Sequence, residues 1–330
     1  MRLTQNIVLV DVINAGSFGD IYLGRDSITG KEYAVKFDKN ETPRTQKNFM
    51  KEYNIMKDIE GKGNFPKCTV ALGSQNKIGK TALIMDKLGP NIYQLFKICG
   101  RRLTVGSVTL LIQQMIKRLE ELHNCGIIHR DIKPENFCLG GRDLKQVYLI
   151  DFGLSRGYRE DDYTHKPLIK NRGFVGTPRY ASKNAHQGLT QSRRDDLEAV
   201  GYMCVFLMKG SLPWQNVKIK DKKLKHHFLH QKKSSINIGV LCEDLPVEFK
   251  LYLEEVRNLK YDQTPQYNKL IRMFKDSQLE RNLSSRFCWE SQADFVLIRD
   301  KYLESIAYDL TLASMYLSPF VPYRSCYFFS

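Results

Sequence analysis

The residues best suited to chemistry fall in two short stretches, His129-Arg130-Asp131-Ile132-Lys133-Pro134-Glu135-Asn136 and Asp151-Phe152-Gly153. Together they hold two acids, an amide and a lysine, the set needed where a phosphoryl group is transferred. That reaction passes charge onto phosphate oxygens, so catalysis is mainly positioning and neutralisation. Asp131 would accept the proton of an attacking hydroxyl, and Lys133 would face the moving phosphate. Asn136 and Asp151 offer the hard oxygen ligands that Mg²⁺ prefers. Alone, Asp-Phe-Gly marks no more than a turn, and His-Arg-Asp alone marks nothing. The joint pattern at this spacing carries the reading.

These residues need elements to position them. Residues 7–37 alternate apolar and polar side chains broken by glycines, which predicts antiparallel strands at 7–10, 21–24 and 33–37 with a turn at 28–31. Phe49, Tyr53, Met56 and Ile59 recur at helical spacing over 44–59, and strands resume at 69–72 and 81–85. Past Gly89-Pro90 the pattern turns helical at 107–125, 194–209, 246–259 and 265–275. Strands followed by helices predict an α+β chain of two packed lobes with a cleft between them. The small lobe is expected at about 1–86, the hinge at 86–90, the large lobe at about 91–300 and a packed, aromatic-rich extension at 301–330.

Composition narrows the class. The chain has 330 residues, 42% of them hydrophobic, enough for a substantial core. No stretch reaches the roughly 20 apolar residues of a membrane span, and the start has no signal-peptide pattern, so neither membrane nor secretion is expected. Eight cysteines, scattered singly, read as reduced thiols, and the cytoplasm is the expected location. A net charge of +15 admits a nucleic-acid binder or an enzyme that draws in acidic substrates. No basic region interleaves with stacking aromatics and no zinc-finger spacing occurs, so no specific nucleic acid is expected. A monomer is expected. The run 218–225 is a solvated face or a route into the nucleus. His226, His227 and His230 read as surface residues rather than metal ligands, since no acid or cysteine pattern accompanies them.

The two opening stretches resemble the catalytic loop and metal-binding turn of protein kinases. Gly176-Thr177-Pro178-Arg179-Tyr180-Ala181-Ser182-Lys183-Asn184, Ser192-Arg193-Arg194-Asp195-Asp196-Leu197-Glu198, Gly16-Ser17-Phe18-Gly19-Asp20-Ile21-Tyr22-Leu23-Gly24 and Gly210-Ser211-Leu212-Pro213-Trp214-Gln215 resemble the casein kinase 1 family in particular. The resemblance runs from about residue 7 to about residue 275. It implies a bilobal kinase fold and transfer of the γ-phosphoryl group of Mg-ATP to Ser or Thr of protein substrates, with acidic or already phosphorylated substrates favoured.

The resemblance also implies a nucleotide site. Its glycine-rich loop would be Asn14-Ala15-Gly16-Ser17-Phe18-Gly19, with Asn14 where the family has its first glycine. Ile13, Ile21, Ala34, Leu139 and Ile150 would line the base, and Lys36 would contact phosphates with Glu52 as its ion-pair partner. Glu41 and Glu60 also lie near, but Glu52 falls amid the apolar spacing, where an inward acid needs a partner. Met85 would guard the back of the pocket, and the backbone of Asp86 and Leu88 would pair with adenine. Arg179 and Lys225 would form a substrate anion pocket, with Lys170, Arg172 and Lys222 as lesser candidates. Asp196 would cap the catalytic loop from below. Tyr158, Tyr163 and Thr164 are candidate modification sites. A catalytically dead binding module is the competing reading, but Lys36, Asp131, Asn136 and Asp151 are all present.

Overall fold

A computed structural model of the chain describes residues 1–16, 19–38, 42–141 and 143–290. Five strands, β1 (Ile7–Gly16), β2 (Gly19–Asp26), β3 (Glu32–Phe37), β4 (Cys68–Ala71) and β5 (Ala82–Asp86), form an antiparallel sheet in the order β1-β2-β3-β5-β4. Helix α1 (Pro43–Ile59) lies between β3 and β4 in the chain. The Thr42 side chain caps its first turn by accepting the Thr45 amide. It buries Phe49, Ile55, Met56 and Ile59, and with them the acid Glu52.

Strand alternation gives the sheet two different faces. Val35 and Ile84 are register partners and pack with Leu3 and Leu9 in a small cluster. Ala34 opposite Met85 and Lys36 opposite Leu83 stand on the other face, and Leu83 and Met85 join the main core. Lys36 and Ala34 are thus turned toward the second lobe.

That lobe begins with α2 (Ile92–Ile98) and α3 (Val105–Asn124), followed by β6 (Ile127–Ile128), β7 (Phe137–Leu139), β8 (Val147–Leu149) and β9 (Arg156–Gly157). Helices α4 (Lys183–His186), α5 (Arg193–Lys209), α6 (Lys222–Ser235), α7 (Ile238–Leu241), α8 (Val247–Asn258) and α9 (Tyr267–Glu280) complete it. α3 is its axis: Val108, Leu111, Ile112, Met115, Ile116, Leu119 and Leu122 are fully buried, each worth roughly 1.5–3 kcal/mol of transfer free energy.

Four helices, α2, α4, α6 and α7, escape the apolar pattern. α2 is too short to show a period. α6 buries only Leu229 and Lys233, so the basic run hides a helix that starts at the Asp221 cap. The core continues to Phe287 and Trp289, stacked 4.5 Å apart, with Trp289 fully buried. The expected extension 301–330 lies outside the described residues. Among the described residues no helix is long and apolar enough to cross a membrane.

Candidate active site

The loop between β6 and β7 carries His129 to Asn136. Asp196, in the first turn of α5, is buried beneath it and accepts the amides of His129 (2.7 Å) and Arg130 (2.8 Å). His123 also hydrogen-bonds Asp196, at 3.0 Å. Burial alone would raise the Asp196 pKa, but His123 and these donors outweigh it and keep the carboxyl below its ordinary value. His129 is fully buried; its Nδ1 accepts the Asp131 amide (3.2 Å), so its Nε2–H donates to the Ile150 carbonyl (3.0 Å).

Asp131 is held at both oxygens. Its Oδ2 accepts the Lys133 ammonium at 2.6 Å, and its Oδ1 accepts the Thr177 hydroxyl at 2.7 Å. Thr177 follows Gly176, whose φ of +113° favours glycine, and a Cβ there would stand 2.5 Å from the Arg130 carbonyl oxygen. Glycine therefore lets this segment approach the loop. Asn136 donates its amide nitrogen to the Asp131 carbonyl at 2.9 Å.

The sheet supplies the other half. Lys36 donates to both Glu52 oxygens (2.7 and 2.9 Å) and to Asp151 Oδ1 (3.3 Å). Burial favours its neutral amine, but the Glu52 and Asp151 carboxylates outweigh that and its pKa rises. Burial likewise works to raise Asp151, yet the Lys36 charge prevails and the carboxyl lies below its ordinary value. Phe152 is buried, edge-on to Phe65 and His129. The Ile150 amide donates to the Asn136 backbone carbonyl (3.0 Å) and so ties the Asp151 segment to the loop, where the Asp151 carboxylate and the Asn136 side-chain carbonyl are oxygen donors of the kind a divalent ion takes.

The remaining expected residues distribute as follows. Gly16 pairs with Gly19 at the β1–β2 tip, and Ser17 and Phe18 lie outside the described residues. Asn14 is strand-paired with Ile21, and Ile13 sits at the register shift just before it. Ile21 is the register partner of Lys36, and Ala34 of Met85. The Asp86 side chain binds Lys31 (2.9 Å) and the Lys67 amide (3.2 Å), and Leu88 and Ile150 are half-buried.

Leu139 needs correcting. It is fully buried in the large core and pairs with Val147, also fully buried. Alternation turns Cys138 to the opposite face of β7, where Asn91, just past the hinge, bridges to it. The Leu139 backbone pairs with the hinge, accepting the Gly89 amide (2.8 Å) and donating to the Pro90 carbonyl (3.0 Å), while its side chain enters the core and that of Cys138 takes the other face. Counting by two from Phe137 would have found it.

The cations expected to bind a substrate anion have these neighbours. Arg179 lays its guanidinium over Phe206 (5.2 Å) and Tyr180 (5.8 Å), with Glu135 and Tyr93 as electrostatic neighbours. Lys225 lies on α6 beside His226, among different neighbours. The α6 cation that reaches this segment is the buried Lys233, which donates to the carbonyls of Pro178 (2.9 Å) and Ala181 (2.6 Å). Lys170 and Lys222 are exposed. Arg172 instead joins Arg130, Arg156 and Lys166 around a cavity of about 550 Å³, with Glu160 as its acid. Arg130, Arg156 and Lys166 were missed because they are far apart in sequence.

Two further expectations shift. Tyr158 is buried and donates to the His123 carbonyl at 2.8 Å, so it is no accessible modification site, whereas Tyr163 is 80% exposed. His226 stacks on Phe174 (4.1 Å) and His230 donates to the Lys183 carbonyl (2.9 Å), so both anchor α6 rather than decorate the surface. Among the described residues no cluster of His, Cys, Asp or Glu could hold a metal of its own.

The family model for the protein kinase domain matches residues 8–294. Such domains transfer a phosphoryl group from ATP to proteins with the help of a divalent metal. The antiparallel sheet, the helical lobe and the residues gathered between them are the bilobal fold of that family, and the chain belongs to the protein kinases.

Proposed function

We propose that this protein is a Ser/Thr kinase of the casein kinase 1 type that uses Mg-ATP. One observation carries the reading: Asp131 is gripped by Lys133 on one oxygen and by Thr177 on the other. When bound, ATP supplies the phosphoryl group and the metal neutralises its oxygens, with Asn136 and Asp151 as the holding residues. Asp131 would orient the acceptor hydroxyl and take its proton as the new oxygen–phosphorus bond forms and the bond from the γ-phosphorus to the leaving ADP oxygen breaks. Lys133, already beside Asp131, offsets the charge on the transferring group. Lys36, oriented by Glu52, positions the phosphates. Lys133, two residues after Asp131, supports an aliphatic hydroxyl as acceptor.

A preference for acidic or phosphorylated substrates rests on charge. The cavity walled by Arg130, Arg156, Lys166 and Arg172 adjoins the catalytic loop, and guanidinium groups grip phosphate in bidentate fashion. It is a second candidate for anion recognition beside Arg179 and Lys225.

Replacing Asp131→Asn tests the first reading. Casein phosphorylation should fall by about 10²–10⁴, while nucleotide binding persists. Surviving activity would remove Asp131 from the chemistry. A positional-scanning peptide library on the parent enzyme reports acceptor type and priming preference together.

A further inference from the structure

The basic helix α6 buries two side chains, Leu229 and Lys233, and the lysine is fully buried. A buried cation is costly unless other groups meet it. Lys233 Nζ donates to the carbonyls of Pro178 (2.9 Å), Arg179 (3.3 Å) and Ala181 (2.6 Å). It also lies over the rings of Trp214 (5.0 Å) and Tyr202 (5.2 Å). Burial drives its pKa well down, with the Glu198 carboxylate opposing. An ammonium carries three N–H donors, one for each carbonyl that converges on it.

Those carbonyls belong to one turn of chain. The Thr177 carbonyl accepts the amides of Tyr180 and Ala181, both at 3.0 Å, so residues 177–181 close on themselves. The later carbonyls of the turn find their donors on other elements. Besides Lys233, the Trp214 indole donates to the Arg179 carbonyl at 2.8 Å, and His186 Nε2 lies 3.2 Å from that of Pro178. At its start the turn reaches the catalytic loop, where the Thr177 hydroxyl donates to Asp131 Oδ1 at 2.7 Å. Just past its end, the Lys183 amide donates to Glu198 on α5 at 3.2 Å. Lys233 itself is tied through its carbonyl to Arg257 on α8 (2.6 Å). The turn that touches the catalytic acid is therefore gripped from α6, outside the active site.

We propose that Lys233 is a positioning residue for phosphoryl transfer: its ammonium fixes the 177–181 turn so that Thr177 stays on Asp131. Without that donor, three buried carbonyls lose a partner, and the turn moves to find others. Thr177 moves with it, and Asp131 is left with Lys133 alone to orient it. The role rests on Asp131 acting on the acceptor hydroxyl, as proposed above. The nucleotide half of the site, held by Lys36 and Glu52, does not depend on this turn.

The test uses the full chain. Lys233→Met keeps the aliphatic stem and removes the donors, and nucleotide binding shows that the fold survives. A displacement on the order of 1 Å in a catalytic group costs up to about 10²-fold, so kcat on a peptide substrate should fall by about 10–100-fold while KM for ATP stays the same. Thr177→Val alone should lower kcat as well. Added to Lys233→Met it should cost little more, because the two residues act along one chain of contacts. Losses that simply multiply would overturn the proposal, as would an unchanged kcat in Lys233→Met or a KM for ATP that rises in step. If Lys233→Met does not bind nucleotide, Lys233→Gln, which keeps a donor, takes its place with the same expectations. Loss of nucleotide binding in both would make Lys233 a residue of the whole fold and overturn the positioning role. Asp131→Asn, measured alongside, separates the two readings: activity lost there but kept in Lys233→Met removes the role of Lys233 alone.

Discussion

Asp196 holds Arg130 in a left-handed backbone conformation: its carboxylate accepts the Arg130 amide at 2.8 Å where φ is 68°. A non-glycine residue pays strain there and persists only where its surroundings over-determine it. The same carboxylate fixes the His129 amide, so one side chain on α5 sets the path of the catalytic loop. Asp196→Ala leaves two buried amides and His123 without their acceptor. Each orphaned donor costs about 1–3 kcal/mol, so the thermal midpoint should drop by several degrees and turnover by at least about tenfold. Differential scanning calorimetry beside steady-state kinetics checks this; a variant matching the parent in both would contradict it.

The Lys36–Glu52 pair is almost wholly buried, with side-chain exposures of 9% and 5%. Glu52→Gln keeps the shape and one acceptor but removes the charge, leaving Asp151 as the carboxylate on Lys36. Breaking one side of a buried pair costs about 3–5 kcal/mol, shared here between stability and nucleotide binding. We expect kcat/KM for ATP to fall by about 10–100-fold with KM raised. An unchanged KM for ATP, measured under saturating peptide, would argue that Lys36 does not depend on Glu52.

Two cation sets are candidates for the anion recognition proposed above. Arg156→Ala with Arg172→Ala empties half the cationic wall of the 550 Å³ cavity, whereas Arg179→Ala with Lys225→Ala removes the pair expected from the sequence. Each lost charge-assisted contact is worth about 1.5–3 kcal/mol. The first double variant should lose at least about tenfold in kcat/KM on a phosphorylated peptide while sparing its unphosphorylated twin, and the loss should shrink as salt is raised. Equal losses on both peptides would dissociate the cavity from substrate choice. A larger selective loss in the second double variant would return the role to Arg179 and Lys225.

Asp195 and Asp196 are neighbours in one turn yet shift in opposite directions. Burial raises Asp195 from 3.8 to about 6, and the Ser182 hydroxyl (2.5 Å) and Ser192 amide (2.7 Å) do not offset it. Below pH 3.8 both folded and unfolded chains hold this proton. Between 3.8 and about 6 only the folded chain does, so this contribution to stability declines as pH rises, by about 3 kcal/mol in total. Asp195→Asn does not titrate. Its thermal midpoint relative to the parent should therefore improve from pH 4 to pH 7; a constant difference over that range would rule out the shift.

The chemistry was legible along the chain because its parts are local. Asp131, Lys133 and Asn136 share one loop, and Lys36 follows a strand pattern that fixes which way it points. Glu52 was readable because an acid inside an apolar stripe requires a partner, and Lys36 provides it. What the sequence by itself determined is therefore the protein-kinase reaction and the two-lobed fold. Folding alone decided what depends on distance in space. Only the packed chain puts Thr177 on Asp131 and gathers Arg130, Arg156, Lys166 and Arg172 around one cavity. A linear pattern records periodicity and short-range spacing, whereas which distant side chains meet is settled by how the buried faces of separate elements close against one another.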